Sequence, residues 1–388
     1  MIEPPLSEFF SLLAEDPLAM VRRQVGRLPV SPVFYIFGAG NIGRKMLRGL
    51  VARGCNVRGF LDNNSALRGQ AIESMPIFEW KDLRLELNAV CVVSIWHYQH
   101  DPKETAKQAE SVGFRYVIHF SALASLWELP DVLPNYAVDN AAVLFNQQTE
   151  KRFLNLWHSL DDESRCVLSQ IIKFHALPDP YNLPLISTRR LPFDPIRVAS
   201  YVDGGAYVGD DFASRLQAFK SLKEAVLIEP DPHSFQILSN RLFPGSVVVC
   251  PLNAALGAGA GLVNFQANGN WGSRVVADKD GVSGLRIPSI ALDAVAVNLP
   301  SPMYVKMDLE GHELEALKGS TGLLERMDVI LSVTLEHRAL DLFEIPEFLS
   351  GFPNRSLFLY PHDSEFSMDL VIYSVPTRLV TLASERST

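Results

Sequence analysis

Cysteine is scarce in this chain. The four residues, Cys55, Cys91, Cys166 and Cys250, lie far apart, with no CxxC pair and no His-rich spacing. A disulfide framework or a thiolate metal cluster is therefore not expected, and a reducing cytoplasm is the default compartment. Long apolar runs are also missing: none approaches the roughly 18 to 20 residues of a bilayer span. The first thirty residues carry Glu3, Glu8, Glu15 and Asp16 and lack a basic start followed by an apolar stretch, so no signal peptide is expected. Positive charge is in deficit, with 35 Lys and Arg against 44 Asp and Glu and a net charge of −9. Such a chain has no global attraction for phosphate backbones or anionic lipid, which excludes nucleic acid and membrane surfaces as first expectations.

What is present is an ordinary globular composition, 47% hydrophobic and 20% charged over 388 residues, enough for two or three domains. After an N-terminal helical segment (1–30), residues 31–122 alternate strands and helices. Continuous apolar runs at 33–37 and 89–95, with shorter ones at 57–61 and 116–119, read as buried parallel strands, with a helix over 102–112. From 123 to 196 the alternation stops. Phe153, Leu154, Trp157, Leu160, Val167, Ile171 and Ile172 are spaced for helices, broken and capped at Asp161-Asp162-Glu163-Ser164, and five prolines follow. This stretch is expected to be a helical connector. Strand and helix alternate again over 197–388, with strands at 198–202, 225–229, 247–252, 304–308 and 329–336. Runs at 356–360 and 370–375 should form an antiparallel hairpin at the sheet edge. The expected fold class is α/β, two doubly wound Rossmann-like domains joined by helices.

The richest motif is Val202-Asp203-Gly204-Gly205-Ala206-Tyr207-Val208-Gly209-Asp210, a glycine-rich turn between strand and helix. The next strand ends at Glu229-Pro230, where an acid is placed to accept from both hydroxyls of a ribose. Asp203, Asp210 and Asp211 would repel a pyrophosphate, whereas S-adenosylmethionine carries a sulfonium and an ammonium. The pocket therefore reads as an S-adenosylmethionine site; a tight turn with an Asp cap is the structural alternative, against which Glu229 weighs. Further on, Asp308 ends a central strand in Tyr304-Val305-Lys306-Met307-Asp308-Leu309-Glu310-Gly311-His312-Glu313, at the end of the sheet where ligands bind. Glu313, Glu315 and Lys318 complement a helix dipole and read as structural.

VDGGAYVGD, LIEPDPHSF (227–235), NAALG (253–257), IALDAV (290–295) and VKMDLEGHELEALKG (305–319) resemble, in order and spacing, the FkbM-type methyltransferases. That resemblance covers roughly residues 198–375 and implies a class I S-adenosylmethionine-dependent fold. It also implies methylation of a hydroxyl on a sugar, glycan or related natural product. Carried over by motif, Asp203, Gly205 and Tyr207 would line the methionine side, with Gly204 and Asp210 in the same turn. Glu229 and Pro230 would hold the ribose, Asn253 and Ala254 would border the adenine, and Asp308 would face the methyl group. Gly204 stands where many members carry an apolar residue, which leaves the turn intact.

Methyl transfer needs alignment of the acceptor oxygen and removal of its proton. Base candidates are Asp308, Glu336, His337 and His312, of which His337 has the most suitable ordinary pKa. Asp308 with Glu336 would be an alternative cation site, but no third ligand is evident, so no metal is assigned. In the polar stretch 268–274, Trp271, Ser273 and Arg274 suit stacking on a sugar ring, and a surface loop with one anchored aromatic explains them equally.

Gly38-Ala39-Gly40-Asn41-Ile42-Gly43 is a second glycine turn, with Asp62 ending the next strand. Arg44 and Lys45 oppose a helix dipole unless an anion sits there. Gly38, Gly40, Asn41, Gly43, Arg44 and Asp62 are thus expected to bind a nucleotide-linked acceptor, with a redox cofactor second. The segment resembles Rossmann-like domains attached to sugar-modifying transferases, some of which bind a nucleotide-sugar. A ligand-free domain serving homodimerisation is the alternative. Two other functions stay in view: an NAD-dependent sugar-nucleotide oxidoreductase, which lacks a Tyr-x-x-x-Lys pair after the first unit, and a non-catalytic binding protein with degenerate pockets.

Overall fold

A computed structural model describes residues 7–95, 102–129, 132, 141–179, 182, 190–267, 273–276, 284–361 and 370–381. The chain divides into two compact units. One comprises Met1–His158, Arg165–Ser187 and Pro361–Asp369; the other comprises Ser159–Ser164, Thr188–Tyr360 and Leu370–Thr388.

The first unit is built on strands β1 (Val33–Phe37), β2 (Asn56–Leu61), β3 (Ala71–Ile72), β4 (Met75–Phe78), β5 (Ala89–Val93) and β6 (Tyr116–His119). They lie in the order β3-β4-β2-β1-β5-β6, all parallel except the short β3–β4 pair. Every residue of β1 and β5 is buried, as the unbroken apolar runs require of strands covered on both faces. Side chains alternate between two cores. Phe34 and Ile36 meet Met46 and Leu50 of the helix Asn41–Ala52 on one face; Tyr35 and Phe37 meet Phe114 on the other. The glycine turn lets that helix lie against β1, since a Cβ on Gly43 would sit 1.8 Å from the Gly38 carbonyl oxygen.

The helices expected as a connector form as Gln147–Ser159 and Asp162–Ala176, divided where Asp161 Oδ1 accepts from the Ser164 N–H at 2.9 Å. Their side chains join the packing of the first unit. Phe153 lies against Phe10 of the helix Ser7–Glu15, and Phe174 enters the core around Phe34.

The second unit starts with β7 (Ser200–Gly204), β8 (Glu224–Ile228) and β9 (Val248–Leu252). A set of short strands follows: β10 (Ala255–Leu256), β11 (Gly261–Gln266), β12 (Arg274–Val276) and β13 (Leu285–Ile290). It ends with β14 (Met303–Met307), β15 (Val329–Thr334), β16 (Arg355–Pro361) and β17 (Leu370–Pro376). The main sheet has the order β16-β17-β15-β14-β7-β8-β9, parallel from β9 to β15. β17 pairs antiparallel with β15, and β16 lies outside it at the edge. Tyr201, Phe212, Phe219 and Tyr304 pack ring against ring beneath this sheet.

A small sheet of order β10-β13-β11-β12 flanks the polar stretch 268–274, with β12 starting at Arg274. Its faces are half exposed and Pro288 interrupts β13, so neither a clean alternation nor a buried run announces it. Ala255, Phe265 and Ile287 form its own core. Among the described residues no helix is long and apolar enough to cross a membrane.

Candidate active site

The carboxyl ends of β7, β8 and β14, walled by the small sheet, enclose a cleft of about 110 Å3. This is the end at which open parallel sheets bind ligands. Gly205, Tyr207, Glu229, Pro230, Ala254, Ser273, Asp308, Glu310 and His312 are among the residues lining it.

The parallel pairing of β7 and β14 puts Asp203 and Lys306 in register, so their side chains emerge on one face. Lys306 Nζ donates to Asp203 Oδ1 at 3.2 Å and stands 3.7 Å from Asp308 Oδ2 and 4.0 Å from Asp211 Oδ2. Asp203 is fully buried, and its Oδ2 has no hydrogen-bond partner. Burial pushes the Asp203 pKa up to about 7, against the opposing pull of the ammonium. For Lys306 burial works in the other direction, but the carboxylates of Asp203, Asp308 and Asp211 outweigh it and its pKa is raised. Asp211 also accepts from Arg215 Nε at 2.9 Å. The glycine turn is therefore less acidic than its sequence suggests, because two of its three aspartates have cationic partners. Asp210 is the exposed one, at the start of the helix Asp210–Arg215.

Glu229 follows β8 and is held at both oxygens. Oε2 accepts from the Tyr207 N–H and Oε1 from the Asp231 N–H, each at 2.7 Å. Burial raises its pKa to about 7 despite those two donors. Asn253 Nδ2 donates to the carbonyls of Glu229 and Pro230 and so braces the strand end. Asp231 caps the helix Pro232–Ser239 and accepts from Ser273 Oγ at 2.7 Å, which ties the small sheet to the cleft. The turn needs glycine at 205, where φ is +77° and a Cβ would come 1.9 Å from the Asp308 carbonyl oxygen. Gly204 ends β7 beside it.

Beyond Asp308 lies a second cluster. His337 Nδ1 meets Glu313 Oε1 at 2.8 Å, and its Nε2 is 3.6 Å from Asp308 Oδ1, 3.7 Å from Glu310 Oε2 and 3.9 Å from Glu336 Oε1. Burial would lower the His337 pKa, but Glu313, Glu336 and Asp308 hold it well above the usual imidazole range. Glu310 has a left-handed backbone, φ +53°, and burial pushes its pKa up to about 7, with His337 opposing. His312 lines the cleft, and burial lowers its pKa. Glu336 Oε2 accepts from the Leu335 and Leu370 N–H groups. Of the four base candidates, Asp308 and His312 line the cleft, while Glu336 and His337 are set back from it.

Three residues here escaped the sequence reading. Lys306 had a signal, a lone cation inside an apolar strand. Glu310 had none. Glu313, read as a dipole partner, is wholly buried, and its Oε1 accepts from the Leu309 N–H at 2.7 Å as well as meeting His337.

In the first unit the expected anion site has partners of its own. Asp62 Oδ2 accepts from the Ala39 N–H at 2.8 Å, and Arg44 Nε donates to the Ala39 carbonyl at 3.2 Å. Gly38 and Gly43 shape the turn, Gly40 caps the helix, and Asn41 is its exposed first residue. Arg274 is exposed at the start of β12, and Trp271 lies outside the described residues.

The sheet order and the cleft define a methyltransferase-like α/β fold. Residues 203–355 match the family model described as Methyltransferase FkbM domain. The hexuronic acid methyltransferase AglP of Haloferax volcanii is 26% identical over 148 residues, 37% of this chain. The match spans 59% of that relative's length. The crystal structure of Methyltransferase FkbM from Methylobacillus flagellatus KT resembles this chain with a TM-score of 0.68 at 21% identity. That likeness covers 94% of this chain and 96% of the other, and it concerns the fold.

Proposed function

We propose that the second unit is an S-adenosylmethionine-dependent O-methyltransferase acting on a hydroxyl of a sugar or glycan. The observation that carries this reading is the pair of anchored carboxylates at the ends of β7 and β8. Glu229 is fixed on the cleft wall by two backbone donors, and Asp203 keeps one buried oxygen without a partner. Both suit a ligand that brings hydroxyls and an ammonium and carries no phosphate. Asp203, Gly205, Tyr207, Glu229, Pro230 and Ala254 would hold the cofactor, with Gly204, Asp210 and Asn253 shaping its turn and strand end. The cofactor supplies a methyl group activated by a sulfonium.

The chain's own part is to orient the acceptor and take its proton. Asp308, Glu310 and His312 are the proton acceptors that line the cleft. Ser273 and Arg274 stand at the small-sheet rim, where an acceptor sugar would enter. The acceptor class is supported by the AglP match, and a uronic-acid glycan is the first compound to try. For the first unit we retain a nucleotide-linked acceptor as the ligand.

Calorimetry tests the cofactor directly. The expected result is one S-adenosylmethionine site per chain that Glu229→Ala weakens sharply. Unchanged affinity in that variant would remove the ribose role of Glu229.

A further inference from the structure

Behind the cleft, the residues after β14 and β15 gather four carboxylates, Asp308, Glu310, Glu313 and Glu336, around the single imidazole of His337. One ligand atom each from Asp308, Glu313 and His337 lies within 4.8 Å of the other two. Ligands about 2.1 Å from a small divalent cation stand roughly 3 to 4 Å from one another, so a modest closing of side chains completes the set.

Two further facts point to a cation rather than to an acidic surface. Glu313 is wholly buried, and its Oε2 has no hydrogen-bond partner, the situation a buried carboxylate oxygen tolerates least. The His337 side chain is only 9% exposed, and its Nε2 stands 3.6 Å or more from three carboxylate oxygens, beyond hydrogen-bond distance of each. One imidazolium cannot neutralise four carboxylates. Lys306, 3.7 Å from Asp308, is shared with Asp203 and Asp211.

We propose that Asp308, Glu313 and His337 bind one divalent cation. An imidazole with hard carboxylates suits Mn2+ or Mg2+ better than a thiophilic ion. Because Asp308 lines the cleft, the cation would stand where it can polarise an acceptor hydroxyl. That role rests on the methyl-transfer reading; cation binding itself does not.

The test uses the full-length, chelator-treated protein titrated with MnCl2, with free Mn2+ followed by electron paramagnetic resonance. One site per chain is expected, weakened at least about tenfold by His337→Ala and by Glu313→Gln. Glu315→Gln, on the exposed side of the same helix, should bind as the parent does. Electron spin-echo modulation of the Mn2+ complex of the unmutated protein should show coupling to an imidazole nitrogen, whether or not the variants fold. Mn2+ that stays free, or binds without nitrogen coupling, overturns the proposal. S-adenosylmethionine calorimetry on the same samples reports separately on the methyl-transfer reading.

Discussion

Lys306→Met removes the one ammonium that faces the buried carboxylate of Asp203 and leaves a methyl-tipped chain of similar length. The fully buried carboxylate, with one oxygen already unpartnered, then loses its 3.2 Å ion pair. Breaking a buried pair from one side costs about 3 to 5 kcal/mol. At roughly 2 to 4 °C per kcal/mol for a unit of this size, Tm should fall by about 6 to 20 °C at pH 8. The deficit should depend on pH. Asp203 has its pKa raised to about 7 from 3.8. The native state therefore favours its protonated form, and ionisation works against folding as pH climbs through that window. Without Lys306 this destabilisation grows, so the gap between variant and parent should widen from pH 5 to pH 8. Toward pH 5, where Asp203 holds its proton, the gap should close or reverse, because a buried ammonium is no longer needed. Differential scanning calorimetry of both proteins at matched pH measures this. A deficit that is small, or equal at pH 5 and pH 8, refutes the ion-pair reasoning.

Affinity for S-adenosylmethionine should fall as pH drops below about 7, where Glu229 takes up a proton and becomes a poorer acceptor for hydroxyls; Glu229→Gln should flatten that dependence in calorimetry. Gly205→Ala forces a side chain into φ +77° against the Asp308 carbonyl, and urea denaturation should show a loss above about 3 kcal/mol. Phe265→Ala hollows the core of the small sheet, where Phe265 is 1% exposed. It should cost about 3 to 5 kcal/mol of local stability, seen as faster hydrogen exchange in β11–β13. Arg44→Glu should abolish binding of a nucleotide-sugar by the first unit; retained binding would reduce Arg44 to its bond with the Ala39 carbonyl.

Much of this was legible because burial on both faces writes a strand as an unbroken apolar run. β1 and β5 are of that kind; β14 and β15 are equally buried and apolar except for Lys306 in one and Ser332 and Thr334 in the other, and each of the four was placed to within two residues. The glycine turns and the acids at strand ends were legible too, since their positions follow from the strands. The small sheet was not. Its strands are half exposed and one carries a proline, so no strand was expected there. The charge balance of the cofactor turn was read from near neighbours in the chain alone. Lys306 is 103 residues from Asp203, and only strand register brings them together. The same limit hid the cation cluster, whose Glu313 and His337 come from different strand ends and meet only in the folded sheet.

The most direct measurement is a calorimetric titration of the whole protein with S-adenosylmethionine and, separately, with NAD. The account requires a single S-adenosylmethionine site that the Glu229→Ala variant loses, with methyl transfer from labelled donor to a uronic-acid glycan. Tight binding of NAD with no heat from S-adenosylmethionine would contradict it.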